Sequence, residues 1–261
     1  MEVLNAFYEE EIYGFLFREY RELGDPELLL VSLPDVGLVG SIAAVNIIRE
    51  LGMKDSVGID SYSAFPPVVV VQGGEPKHPM RIYSGDGMAV LITDVPVPPP
   101  AVAPLTRAIV EWALRRRVKA ILGVTGMGNP ARIEMEKPGI HYLAIGKTAA
   151  SMAEKLGGEA KRLSDGILVG PMALILKEAA RARMDMMVLM VDSYIDLPDP
   201  EAAARAVEAI SRITGKEISV EKLMKEAEMI KLRYRELMKE TRSMMAKMGK
   251  GYEYRAPLLY T

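Results

Sequence analysis

The fold follows from one stretch of the chain, 28-LLLVSLPDVGLVG-40. Its apolar first half, Leu28 to Leu33, predicts a buried β-strand, and Pro34 to Gly37 predicts a turn. The residues from about Leu38 to Leu51 have the apolar spacing of a helix. A buried strand that leads through a tight turn into a helix is the building unit of α/β folds.

The same alternation continues along the chain to about residue 191. Further strands are predicted at Val57 to Ser61, Val68 to Val71, Arg81 to Tyr83, Met88 to Thr93, Val118 to Val124 and Met186 to Val191. Further helices are predicted at Leu105 to Arg117, Lys147 to Leu156 and Pro171 to Arg183. This order predicts an α/β protein with a mostly parallel sheet flanked by helices. The turn Ser84 to Gly87 adds one hairpin.

The pattern changes after this core, which we assign to residues 1–197. Residues 198–249 form a predicted C-terminal helical extension, and residues 250–261 form a flexible tail. The extension contains a helix from Pro200 to about Ile213 and a second helix that Ser219 caps and that reaches Met248. The second helix has a heptad seam: Leu223, Ala227, Ile230, Tyr234, Leu237, Thr241, Met244 and Met248. This seam packs either on the α/β body or on another subunit.

Composition excludes several classes of protein. The chain has 261 residues, a formal net charge of −2 and no cysteine, so disulfides and thiolate chemistry are excluded. Neither a nucleic acid nor a membrane is an expected partner, since no strong positive charge and no long apolar run is present. No signal peptide is apparent, so we expect a cytoplasmic protein. The single glutamine and three asparagines are typical of a thermophile.

One loop is a candidate ligand site. Thr125 to Pro130 is a predicted loop at the carboxyl end of a strand, and open α/β sheets bind ligands there. The amides of Gly126, Gly128 and Asn129 could hold an anion, although a tight turn or a subunit contact explains these residues equally well.

No catalytic group, metal site or cofactor is predicted. The two histidines, His78 and His141, are far apart in sequence, and no serine–histidine–aspartate trio can be singled out. Asp192, Asp196 and Asp199 could bind magnesium, but Asp199 is better placed to cap the helix that follows it.

The last three residues, Leu259, Tyr260 and Thr261, form a hydrophobic–tyrosine–any tripeptide. Capture of a C-terminal carboxylate is a known recognition mode, and a tyrosine supplies a rigid apolar anchor with a polar tip. The alternative is a frayed chain end without a partner.

Four segments in this order resemble the proteasome assembly chaperone 2 family: Leu33 to Gly40, Phe65 to Pro67, Val124 to Gly128 and Leu197 to Ala203. The resemblance implies an α/β fold related to nucleoside phosphorylases, without catalysis. It also implies a homo-oligomer, which we expect to be a tetramer, with a pentamer as the alternative.

The resemblance gives the tail an expected role. Some members dock such a tail between neighbouring α-subunits of the proteasome core particle. Tyr260 would fill the cleft, Leu259 would add apolar contact, and the Thr261 carboxylate would pair with a lysine. The implied function is ATP-independent proteasome assembly, gate opening, or both. Two alternatives stay open: a small-molecule enzyme of the phosphorylase or nucleosidase type, and an oligomeric scaffold without tail docking.

Overall fold

A computed structural model describes residues 6–248 of the chain. Ten of its strands form one sheet, in the order β1-β2-β4-β7-β8-β3-β9-β12-β10-β11, and β5 and β6 form a separate hairpin. The strands are β1 (Tyr8–Ile12), β2 (Phe15–Glu19), β3 (Leu28–Val31), β4 (Lys54–Asp60), β5 (Val70–Gln72), β6 (Glu75–Lys77), β7 (Met80–Gly85), β8 (Met88–Thr93), β9 (Ala120–Gly128), β10 (Ile140–Ile145), β11 (Ala160–Arg162) and β12 (Asp185–Ser193).

Helices cover the sheet on both faces. They are α1 (Val39–Glu50), α2 (Pro99–Arg115), α3 (Lys147–Leu156), α4 (Pro171–Ala182), α5 (Pro200–Thr214), α6 (Glu221–Lys225), α7 (Ala227–Arg233) and α8 (Arg235–Lys247). Short 3-10 turns lie at Val36–Leu38, Pro130–Glu134 and Gly157–Glu159.

The predicted α/β class is confirmed, and its parallel ladder forms the centre of the sheet. β8, β3, β9 and β12 run in the same direction as neighbours. On one side β7, β4, β2 and β1 continue the sheet with antiparallel pairing, and on the other side β10 is antiparallel to β12. The outermost strands β1, β2, β10 and β11 were not predicted. Charged residues interrupt the alternation of β1 and β2, β11 has only three residues, and β10 shows no clear alternation of apolar and polar residues.

Two hydrophobic clusters sandwich the sheet, one on each face. Alternate residues of a strand point to opposite faces, so Leu28 and Leu30 join one cluster while Leu29 and Val31 join the other. The first cluster is covered by α1, α3 and α5, and the second by α2 and α4. All four β3 residues are buried, as the continuous apolar run in the sequence indicates.

The predicted loop at Thr125 to Pro130 is wrong for its first four residues, Thr125 to Gly128. β9 extends through Gly128, because it keeps its parallel pairing with β12 up to the pair Gly128 and Ser193. Glycine-rich composition favours a loop locally, but a paired neighbour holds these residues extended.

The long C-terminal helix is divided into three consecutive segments, α6, α7 and α8. The breaks lie at Glu226 and Tyr234, which have φ near −90° and ψ near 0°. The segments pack on their own α/β body, where Leu223, Met238 and Met245 are buried in the first cluster. In α8 the buried row is therefore Met238, Thr241 and Met245, one position from the predicted Leu237 and Met244. A straight helix drifts from a strict heptad, and the two breaks add rotation.

Candidate functional site

The carboxyl edge of the parallel strands is where the sequence placed its candidate ligand loop. The chain leaves β3 through the turn 34–38, in which Gly37 has φ +62°. A Cβ on Gly37 would overlap the Ser193 hydroxyl, and a Cβ on Gly126 would overlap the Val36 carbonyl oxygen. The glycines of these two motifs therefore allow the β3 turn to pack closely between the ends of β9 and β12.

A buried aspartate lies at the start of this turn. The Thr125 hydroxyl of β9 donates a hydrogen bond of 2.7 Å to the Asp35 carboxylate, and both residues are buried. The turn is also tied to α5, since the Asp199 main-chain N–H donates to the Gly37 carbonyl at 2.9 Å. Three sequence segments that lie far apart in the chain, represented by Asp35, Thr125 and Asp199, thus meet at the carboxyl ends of the parallel strands.

Asp192, at the end of β12, is the centre of a second polar group. Its carboxylate accepts a hydrogen bond from the Asn129 side-chain amide at 3.0 Å and lies 3.4 Å from Nε2 of His141. Burial raises the pKa of Asp192, but the hydrogen bonds from His141 and Asn129 outweigh it and hold that pKa below its usual value. An aspartate in this setting is a charged structural acceptor.

Arg132 and Asp199 form the third group, a buried ion pair. Arg132 Nε and one Nη contact the two carboxylate oxygens at 2.8 and 3.1 Å, and the same Nη contacts Glu201 at 2.7 Å. The guanidinium carbon lies 4.9 Å from the centre of the Tyr194 ring, within cation–π range. Burial lowers the pKa of Arg132, but its bonds to Asp199 and Glu201 outweigh this and raise it, so the group stays charged.

Asp199 caps α5, as the sequence predicted. Its carboxylate accepts from the main-chain N–H of Ala202 at 3.0 Å and of Tyr194 at 3.2 Å. The three aspartates considered for magnesium do not converge: Asp192 bonds to Asn129, Asp199 to Arg132, and Asp196 lies 3.1 Å from Arg242. Among residues 6–248, no group of three or more histidine or acidic side chains is arranged to hold a metal ion.

Each residue of the candidate ligand loop has a structural role. Gly126 and Gly128 lie in β9, and the main-chain N–H of Asn129 donates to the Ser193 carbonyl at 3.0 Å. The Asn129 side chain caps the 3-10 turn Pro130–Glu134 by accepting from the Ala131 N–H. Anion binding by this loop stays an untested prediction.

The C-terminal helices lie across this same edge. α8 contacts the 3-10 turn Val36–Leu38, and Arg242 of α8 reaches Asp196 beyond β12. Asn46 of α1 fixes the start of the arm by donating to the Ser219 carbonyl at 2.9 Å. Met248, the last described residue, is half-buried against the cluster under α2 and α4. Leu259, Tyr260 and Thr261 lie outside the described residues.

Sequence reasoning missed Arg132 altogether, and it missed the hydrogen bond between Thr125 and Asp35. The position of Asp199 before Pro200 marks a helix cap, but nothing near Arg132 indicates that it pairs with a residue 67 positions away. A second feature also had no signal in the sequence. A cavity of about 430 Å³ opens at the amino ends of the parallel strands, between Leu28, Met88 and Lys119.

The geometry defines an α/β protein whose sheet edge is filled by its own side chains and crossed by a C-terminal helical arm. The chain belongs to the PAC2 family, whose model matches residues 29–238. Among solved structures it is similar to PbaA of Pyrococcus furiosus, "an archaeal homolog of proteasome-assembly chaperone", with 29% identity and a TM-score of 0.79 over 88% of this chain and 98% of the other.

Two further relatives extend the comparison. PbaB of Pyrococcus furiosus, "an archaeal proteasome activator", has the same fold, with 21% identity and a TM-score of 0.71 over 87% of this chain and 99% of the other. An uncharacterized protein of Methanocaldococcus jannaschii is 24% identical over 86% of this chain and 91% of its own length. Among residues 6–248, no helix is both long and apolar enough to cross a bilayer.

Proposed function

We propose that this chain is a homo-oligomeric, ATP-independent cytoplasmic factor that binds the α-ring of the proteasome core particle as an assembly chaperone, a gate-opening activator, or both. The observation that carries the proposal is membership of the PAC2 family. The likeness to PbaA, described as a homologue of a proteasome-assembly chaperone, supports it. In this proposal the tripeptide Leu259, Tyr260 and Thr261 docks between neighbouring α-subunits.

The packing of the C-terminal arm supports this use of the tail. Met238 and Met245 are buried, and Met248 packs against the body. The tail therefore begins at a fixed point at the carboxyl edge. The thirteen positions 249–261 span at most about 45 Å, which sets an upper limit to the reach of the tail. A fixed origin with a limited reach is what binding several neighbouring pockets at once requires.

A single tail is expected to bind weakly. The charge-assisted bond of the Thr261 carboxylate contributes about 1.5–3 kcal/mol, and Tyr260 adds buried apolar area. Several tails on one oligomer raise the overall affinity by about 10²–10⁴ when the spacing fits. Tails that bind better to an open ring than to a closed one shift the ring toward the open form, and no ATP is needed.

The proposed role involves no catalysis. At the carboxyl edge, the Asn129 side chain donates to Asp192 and accepts from the main-chain N–H of Ala131. Arg132 is bonded to Asp199. A substrate would have to displace these internal bonds, at a cost of about 1–3 kcal/mol for each buried group left unpaired.

The test is to remove the tripeptide or to change Tyr260→Ala in the full chain. Binding to the core particle and stimulation of peptide hydrolysis should both be lost, with the subunit number of the oligomer unchanged. Tyr254→Ala is the matched control, since it removes a tail tyrosine outside the tripeptide. One glycine added after Thr261 displaces the carboxylate and should also abolish binding. Unchanged binding and hydrolysis after tail deletion would refute the proposal.

A further inference from the structure

The two outermost strands of the ten-stranded sheet, β1 and β11, form its lateral edges and carry opposite charges. β1 has the sequence YEEEI, with Glu9, Glu10 and Glu11, and β11 has the sequence AKR, with Lys161 and Arg162. In the part of the chain that the structure describes, no further strand pairs with the outer side of either edge. Such an edge exposes main-chain N–H and C=O groups that can pair with a strand of another chain.

Among residues 6–248, part of the negative charge of β1 has no ion-pair partner within the subunit. Glu9 pairs with Arg18 at 2.5 Å, and Glu10 pairs with Arg115 of α2 at 2.8 Å. Glu11 is exposed and forms no ion pair with another residue in the range 6–248.

The same holds for the basic edge. Lys161 and Arg162 are both exposed and form no ion pair with residues 6–248, since the nearby Glu159 pairs with Arg205 and Arg212. Among residues 6–248, β1 therefore presents one carboxylate without an ion-pair partner, and β11 presents two cations without one.

The strand directions allow these edges to pair with each other. The four pairings that lead from β1 through β2, β4 and β7 to β8 are antiparallel, so β1 runs in the same direction as β8. The pairings from β8 through β3 and β9 to β12 are parallel, so β1 also runs in the direction of these strands. β10 and β11 run in the opposite direction. A sheet continued from one copy into the next therefore places β11 antiparallel to β1, with opposed side chains about 4.5–5.5 Å apart.

We propose that β1 of one subunit pairs antiparallel with β11 of the next, so that the oligomer is a head-to-tail assembly with a continuous sheet. This inference rests on the homo-oligomer of the proposed function and specifies its interface. Pairing of two β1 strands about a two-fold axis would oppose glutamates, and pairing of two β11 strands would oppose Lys161 and Arg162, so like charges disfavour both symmetric contacts. The heterologous contact leaves the opposite charges adjacent.

Exposed apolar side chains flank both edges. Phe7, Tyr8 and Tyr13 are 61%, 45% and 53% exposed around β1, and Ile167 is 42% exposed beyond β11. These groups would be covered in the proposed contact, which adds apolar burial to the charge pairing.

The head-to-tail contact also determines on which side of the oligomer the C-terminal tails begin. A head-to-tail contact repeated by rotation closes into a ring in which every subunit faces the same way. All α8 helices, and with them all tails, would then start on one face of the ring, where they could bind a ring-shaped partner together.

The absence of cysteine makes a direct test possible. Ile12 points into the second cluster, so its neighbour Glu11 points to the face of the first cluster. Arg162 lies on that same face, since its partner in β10, Tyr142, packs on the first cluster. The double variant Glu11→Cys/Arg162→Cys is therefore treated with a short bis-maleimide crosslinker, and covalent multimers are resolved on denaturing gels. Trimers and higher multimers are expected from the double variant, and monomers only from each single variant. Val71→Cys samples the exposed β5–β6 hairpin in the same way, and it should stay monomeric on the gel.

Each other outcome overturns the proposed interface. Dimers from Glu11→Cys alone would mean symmetric β1 pairing, and dimers from Val71→Cys alone would place the contact at the hairpin. A native oligomer, measured by light scattering, whose double variant gives no multimers would also exclude the contact.

Charge exchange provides a second test that does not depend on crosslinking. Lys161→Glu/Arg162→Glu should weaken self-association at least tenfold by sedimentation, and mixing this variant with Glu11→Lys should restore mixed oligomers. No restoration on mixing would count against the interface. Tail-deleted protein should crosslink as the full chain does, so failure of tail docking and failure of this contact are separate results.

Discussion

Arg132 and Asp199 form a two-pronged ion pair in which both side chains are about 1% exposed, although the residues lie 67 positions apart. The pair joins the turn after β9 to the first turn of α5, and Asp199 at the same time caps that helix. One carboxylate therefore fixes three segments at the carboxyl edge: the end of β12, α5 and the 3-10 turn Pro130–Glu134.

Loss of Arg132 should strongly destabilise the protein. Arg132→Met leaves the Asp199 carboxylate buried without its partner, and we expect the free energy of unfolding to fall by about 3–5 kcal/mol. Arg242→Met is the control, because the pair of Arg242 and Asp196 is exposed and should contribute about 0–1 kcal/mol. Urea unfolding of both variants measures the difference, and equal stability would contradict this assignment.

A Cβ at Gly126 should disturb the packing of the β3 turn. Gly126→Ala places a methyl group against the Val36 carbonyl oxygen, and we expect a loss of about 1–3 kcal/mol. Gly158→Ala is the matched control, since no atom lies within 4 Å of its Cβ position. Calorimetry should show a melting temperature lowered by several degrees for Gly126→Ala only. A stable Gly126→Ala protein would favour the ligand interpretation of this loop.

His78 should make the protein sensitive to mild acid. Burial lowers the pKa of His78 below 6.5, and Asp60 at 3.4 Å opposes this only in part. The unfolded chain then binds more protons than the native one below about pH 6.5, so stability is lost as the pH falls through that range. His78→Gln cannot titrate, and its free energy of unfolding should depend less on pH between about 6.5 and 5. Identical pH slopes in urea unfolding would disprove the assignment.

The C-terminal arm should be held by side chains that face its own body. Met238→Ala removes a buried side chain of α8 and should cost about 2–5 kcal/mol of local stability, seen as faster amide hydrogen exchange in residues 221–248. Met229→Ala is the control, since Met229 is 62% exposed. The subunit number should stay the same in both variants. Dissociation of the oligomer by Met238→Ala would instead place this seam between subunits.

Several elements of the fold were predictable because their signals are local. β3 is a continuous apolar run, α3 has the predicted bounds Lys147 to Leu156, and Asp199 before Pro200 is a helix cap. The end of β9 was not predictable, because Gly126 and Gly128 favour a loop and only the neighbouring β12 keeps them extended. The edge strands were missed for a related reason: three successive glutamates in β1 hide its alternation.

The sequence alone determined the α/β class, the order of most elements and the resemblance to a family, since periodicity, caps and turns are encoded within a few residues of each other. Only the tertiary structure decided that Arg132 meets Asp199, that the C-terminal arm lies on its own body, and that the acidic and basic strands form opposite edges of one sheet. These contacts join residues far apart in the chain. Their partners are chosen by the packing of the whole core, and no local pattern specifies them.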